Sequence, residues 1–171
     1  TETATAEEVA REVGSSDIAY VQVEAVLAQC DLFLNEGAAL QEKTQKAQKS
    51  WAQKEQNLQA EAAQLQEKYQ KGLITTNDAQ AQQQSIEKRV ASYQSSAQKE
   101  AQALDEENYV FTNRAQDLLH RAVQEINGDK KYKLIINATA LIDADSTLDI
   151  TPAVLAKVNE LYAADKKAVK K

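Results

Sequence analysis

Cys30 and His120 are the only cysteine and the only histidine of this 171-residue chain. One thiol and one imidazole offer no internal disulfide and no cysteine metal cluster. Cys30 reads as a small buried apolar residue and His120 as a surface or boundary residue. Asp143, Asp145 and Asp149 sit close together but lack the glycine and distal glutamate of a calcium loop. They read instead as caps in a turn-rich connection. No nucleophile–base pair and no phosphate loop is present, so the chain is not read as an enzyme and calls for no cofactor or metal. What remains is the chemistry of holding. Trp51, Tyr69, Leu73 and Ile74 are the candidate contacts for a held molecule, against the alternative that Trp51 packs within a helical stripe and that Leu73 and Ile74 fold back over the last layer.

The elements that carry these residues are long helices. Ala, Gln, Glu, Lys and Leu dominate the composition, aromatics are 5% and mean hydropathy is −0.58. Going outward, Leu40, Thr44, Ala47, Trp51, Glu55, Leu58, Ala62, Leu65 and Tyr69 recur every 3 or 4 residues, eight steps over 29 residues or about 3.6 each, the period of a straight α-helix. A return stripe runs Ala79, Gln83, Ile86, Val90, Tyr93, Ala97, Ala101, Leu104, Asn108. Facing residue numbers keep a constant sum: Tyr69 with Ala79, Leu65 with Gln83, Ala62 with Ile86, Leu58 with Val90, Trp51 with Ala97. The same rule extends to Gly37 with Phe111, Phe33 with Ala115 and Cys30 with Leu118. That is the condition for two antiparallel helices folded about one turn, in register to about one helical turn. Gly72 is placed to end the first helix in a left-handed conformation, and Thr76, Asn77 or Asp78 to cap the second, which runs to Asn127-Gly128.

Outside the hairpin lie short β-like segments. Ile18 to Val23 reads as a strand, Glu24 to Cys30 as a short helix and Asp31 as a cap for the next helix. Tyr132 to Ile136 reads as a second strand and Ala140 to Ile142 as a third, joined through Asn137-Ala138-Thr139. Thr151 as cap and Pro152 at the first helical position then open a final helix with Val154, Leu155, Val158, Leu161 and Tyr162 on one side. The predicted division is a flexible acidic leader over 1–16 (or a frayed helix from Glu7 to Val13), a β-rich oligomerisation body over 17–32 and 119–163, a helical arm over 33–118 with its tip at 72–78, and a basic frayed tail over 164–171. So small a body buries little and leaves strand edges open; strands from several copies are expected to close a shared core.

Net charge is −6, which disfavours nucleic acid as a partner. No run of about 18 apolar residues exists to span a bilayer. The acidic leader is compatible with a tether to a lipid anchor upstream.

The strand Ile18–Val23 with its adjoining helix, the long hairpin, and the run from Tyr132 through Leu141 to Asp149-Ile150-Thr151 resemble the Skp (OmpH) family of periplasmic chaperones over about residues 17–163. The resemblance implies a mainly α fold with a small β body: a long antiparallel helical hairpin emerging from a trimerisation base, jellyfish-like. It implies an ATP-independent holdase of the Gram-negative periplasm whose homotrimer encloses unfolded outer-membrane proteins. The positions matching the body are Ile18, Val21, Val23, Leu134, Ile136 and Leu141. One departure is large. The best-known members are basic, whereas over 40–108 nine Lys or Arg face ten Asp or Glu here, so a lipopolysaccharide site is not carried over and peripheral membrane association stays open. The competing readings are an envelope coiled-coil scaffold that binds a folded partner and a prefoldin-like chaperone, whose topology is inverted relative to this one.

Overall fold

The computed structural model describes residues 17–170; the expected leader over 1–16 and the last lysine lie outside the described residues. The chain divides into two compact units. One is built from the chain up to Ala39 and from Val110 onward, the other is Leu40–Tyr109.

In the first unit, strand β1 spans Ile18–Val21, shorter than the run of β-branched residues suggests. Gln22 ends it: its backbone N–H donates to the Thr151 hydroxyl at 2.9 Å, and helix α1 starts at once as Val23–Gln29. Strand β2, Leu134–Asn137, pairs with β1 in parallel, with Ile18 opposite Leu134 and Tyr20 opposite Ile136. The third strand expected at Ala140–Ile142 does not form, and there is no hairpin. Asn137 is the cause: its side chain accepts the Thr139 N–H at 3.2 Å and turns the chain into a 3-10 turn, Ala138–Ala140. Local side-chain bonding of this kind competes with the ladder. Leu141 leaves the turn extended, at φ −97° and ψ 139°. The other edge of β1 meets an isolated parallel bridge at Asp149 instead.

Helix α4 runs Thr151–Val169, so the run expected to fray is helical as far as Val169, and Lys166 lies 5.1 Å over the Tyr162 ring. Val154, Val158 and Tyr162 bury its inner side against Val21, Val26, Cys30, Leu32, Ala115, Leu118, Ala122, Tyr132 and Ile150. Each such aliphatic side chain contributes about 1.5–3 kcal/mol. Asp31 is not the expected cap. Its own N–H is taken by the Asn159 side chain of α4 at 2.8 Å, so a distant helix closes that start. The helical segment then widens into a π-turn at Phe33–Gly37. A Cβ on Gly37 would lie 3.0 Å from Phe111 Cζ, which explains a glycine inside a helical stretch. Phe33, expected against Ala115, meets the Phe111 ring one turn away, with centroids 6.1 Å apart.

The second unit contains most of helix α2 (Ala38–Gln70) and the first part of α3 (Thr76–Ile126). They are antiparallel neighbours: Lys43 reaches Glu107 at 2.5 Å, the Trp51 indole N–H reaches Glu100 at 2.6 Å, and Arg89 reaches Glu61. These partners sit within a turn of the predicted register. Gly72 has φ +68° and completes a Schellman motif. Its N–H donates to the Tyr69 carbonyl at 3.1 Å and the Leu73 N–H to the Lys68 carbonyl at 2.9 Å. The cap of α3 is Thr75, one residue before those expected: its hydroxyl accepts the Asp78 N–H at 3.2 Å. Only Ala47, Leu65, Ile86 and Leu104 are buried hydrophobics in this unit, in keeping with a stripe full of Ala, Thr and Gln.

Candidate functional site

Parallel register puts Ala19, Val21 and Ile135 on the inner face of the sheet and Ile18, Tyr20, Leu134 and Ile136 on the outer one. The positions matched to the family body therefore separate. Val21 is 2% exposed and belongs to the subunit's own core. Val23 is half-buried and packs against that core. Ile18 is 44% exposed and Leu134 51%; Ile136 and Leu141 are half-buried. Ile142 is fully exposed. Sequence reading missed it as a surface candidate because a third strand was expected to order it.

Behind this face the Asp149-Ile150-Thr151 motif forms a clasp. The Ile150 N–H donates to the Tyr20 carbonyl at 3.0 Å. Asp149 Oδ1 accepts the Thr151 N–H at 2.9 Å and also the Thr151 hydroxyl. Thr151 Oγ1 in turn accepts from Gln22. Thr151 is thus not the cap: Asp149 serves the free amide at the start of α4, and Thr151 ties that start to the end of β1. Asp145 plays a similar local part, accepting the Thr147 N–H at 2.9 Å, a bond that holds its carboxyl below the usual range. Among the described residues no group of three His, Cys, Asp or Glu is placed to hold a metal. Cys30 is buried, with Sγ donating to the Leu27 carbonyl at 3.3 Å, and His120 is exposed.

The π-turn is anchored from α3 and α4. Glu36 accepts from Arg114 at 2.5 Å and from the Tyr162 hydroxyl at 3.2 Å. Burial pushes this carboxyl up, but the Arg114 hydrogen bond and charge, the Tyr162 bond and the charge of Lys166 together hold it below the ordinary range.

In the Leu40–Tyr109 unit, three of the four candidate client contacts gather at the tip. Tyr69 is 52% exposed and Leu73 73%; Ile74 is half-buried. Trp51 is not with them. It lies 18 residues from Tyr69 along the same helix, about 27 Å at 1.5 Å per residue, and it is half-buried with its N–H committed to Glu100. Away from the tip, Arg89 joins the two helices by hydrogen bonding to Glu61, Nη1 to Oε1 at 3.1 Å. That bond comes first in holding the Glu61 carboxyl down, ahead of an opposing desolvation. The arrangement offers apolar and amide contacts. Among the described residues no helix is long and apolar enough to cross a membrane.

A family model described as outer membrane protein (OmpH-like) matches residues 17–158. A crystal structure from Caulobacter crescentus CB15, of a protein described as an OmpH-like outer membrane chaperone, shares the fold with a TM-score of 0.72 at 17% identity, covering 86% of each chain. No curated protein matches the sequence.

Proposed function

The chain belongs to the OmpH-like outer membrane protein family, and from that premise we propose that it is an ATP-independent holding chaperone for unfolded outer-membrane proteins, acting as a homotrimer in the periplasm. The observation that carries this reading is the family match over residues 17–158, which includes residues of both compact units. The Caulobacter protein of the same fold is itself described as an outer membrane chaperone.

Local features support the finer parts. A two-stranded sheet is marginal by itself, and its outer face carries Ile18, Tyr20, Leu134 and Ile136, with Leu141 and Ile142 a few residues on. Burying such residues between copies is the physical gain a trimer offers. The single-subunit core already holds Val21, so the proposed interface is Ile18, Leu134, Ile136, Leu141 and Ile142, with Val23 at its margin. Clients are held by many weak contacts, each replaceable, and retention comes from effective concentration inside the assembly. Tyr69, Leu73 and Ile74 supply apolar contacts near the tip, and Trp51 chiefly packs. The near balance of charge over 40–108 makes steering by positive potential a small part of capture.

The test is suppression of aggregation of a denatured β-barrel protein at stoichiometric ratios without nucleotide, together with a mass in solution about three times the 18.9 kDa of one chain. Absence of suppression at several-fold excess counts decisively against the holding role. Capture of a folded envelope protein by a monomer or dimer is the result the scaffold reading requires.

A further inference from the structure

Next to the tip, the α2–α3 pair is flanked by two different clefts. One, of about 260 Å³, is ionic: Arg89 crosses it to Glu61, and Lys68 stands beside them. The other, of about 690 Å³, has the half-buried Ala62 and Ala79 and the buried Leu65 as its floor and the exposed Gln59, Gln66, Gln80 and Gln83 as its rim. It contains no side chain charged at neutral pH, in a chain of which 27% is charged. The cause is legible in the sequence. Where a tight helix pair would place leucine, the stripe has Ala62, Ala79 and Gln83, so the two helices leave this side unfilled.

We propose that this neutral groove binds a short extended stretch of unfolded polypeptide, its backbone amides hydrogen-bonded by the rim glutamines. The inference deepens the holding role proposed above and rests on it. Charge selects the class of ligand: an ion in this groove meets no counter-charge among the residues that line it, whereas a neutral amide ligand finds its complement. Every glutamine offers both a donor and an acceptor, and each non-proline backbone unit offers one of each whatever its side chain. A rim of glutamines therefore reads what all clients share. Gln83 already donates to Glu87 at 3.0 Å and keeps its carbonyl oxygen for the ligand. Length agrees as well. From Gln59 to Tyr69 the helix advances about 15 Å, enough for four or five extended residues at about 3.3 Å each. The alanine floor leaves room for side chains that alternate toward and away from it.

The probe is a dansyl-labelled, end-blocked octapeptide of alternating serine and valine, titrated with the full chain and followed by fluorescence anisotropy. A control peptide carries lysine in place of serine. The neutral probe is expected to bind and the lysine control to bind more weakly. Filling the groove with Ala62→Leu and Ala79→Leu, changes between strong helix formers, is expected to weaken neutral-probe binding about tenfold or more while circular dichroism shows unchanged helix. Gln59→Ala with Gln80→Ala is expected to weaken it about three- to tenfold, the scale of lost amide hydrogen bonds. Should the filled variant misfold, the glutamine pair decides. Equal probe affinity in a helical filled variant, or in the glutamine variant, overturns the proposal. A parent chain that suppresses aggregation yet binds no neutral probe also overturns it and leaves the holding role standing. A parent chain that binds the probe but suppresses no aggregation upholds the groove and refutes that role.

Discussion

Thr151→Val, Asp149→Ala and their combination ask whether the Asp-Ile-Thr motif is the clasp between β1 and α4. Valine keeps the shape of threonine and removes the hydroxyl that accepts the Gln22 N–H at 2.9 Å. That donor faces water, so its loss falls at the low end for a hydrogen bond, about 0.5 kcal/mol, and the lost bond to Asp149 adds about 1 kcal/mol. Asp149→Ala removes the carboxylate that takes the Thr151 N–H, a hydrogen bond worth about 1 kcal/mol, and a negative charge at a helix start worth roughly 0.3–1 kcal/mol more. Because the two side chains bond each other, the double variant is expected to lose about 1 kcal/mol less than the sum of the singles, as contacting residues of one network do. Urea unfolding followed by circular dichroism supplies the energies. It must be run at one protomer concentration, since assembly contributes to apparent stability. Each kcal/mol corresponds to roughly 2–4 °C in Tm for a chain of this size. Strict additivity, or a Thr151→Val loss indistinguishable from zero, refutes the clasp.

Three further outcomes are expected. Glu36→Gln removes a carboxylate whose folded pKa lies below its ordinary value. Its contribution is therefore present above the unfolded pKa of about 4.3 and is lost as pH falls through the folded one. The gap in unfolding midpoint between parent and variant should be flat above about pH 5 and close toward acid; with Arg114 half in water it is about 1 kcal/mol or less, and a gap independent of pH rejects the assignment. Leu32→Ala empties a fully buried site and should cost about 2–5 kcal/mol in denaturant unfolding; a smaller loss means the core around α1 and α4 is looser than described. Gly72→Ala meets no atom within 4 Å, so its cost is only the left-handed backbone, about 1–2 kcal/mol. Faster amide exchange should be confined to residues near 68–75, and spread of that effect into the first unit contradicts a local cap.

The division of labour between sequence and tertiary structure tracks the range of each interaction. Helical period, the glycine stop at Gly72, the antiparallel register of α2 and α3 and the buried character of Cys30, Val154, Val158 and Tyr162 were all legible along the chain. They depend on spacing within a few turns or on simple burial. The motif from Tyr132 to Thr151 also pointed to the family. Other features were not legible because their partners come from far away in sequence or from an unexpected local bond. Asn159, not Asp31, satisfies the amide at residue 31. Thr75 takes the cap assigned to its neighbours, and Asp149 bonds the Thr151 amide at the start of α4. Asn137 bonds its own turn and abolishes a third strand whose apolar composition argued for it. Pairing of β1 with β2 is parallel because the chain returns through the whole helical excursion rather than a hairpin, and no local pattern records that. The packing of Val21 inward and Ile18 outward likewise required the ladder: alternation says that the two lie on opposite faces, and only the position of α1 and α4 decides which face is the core.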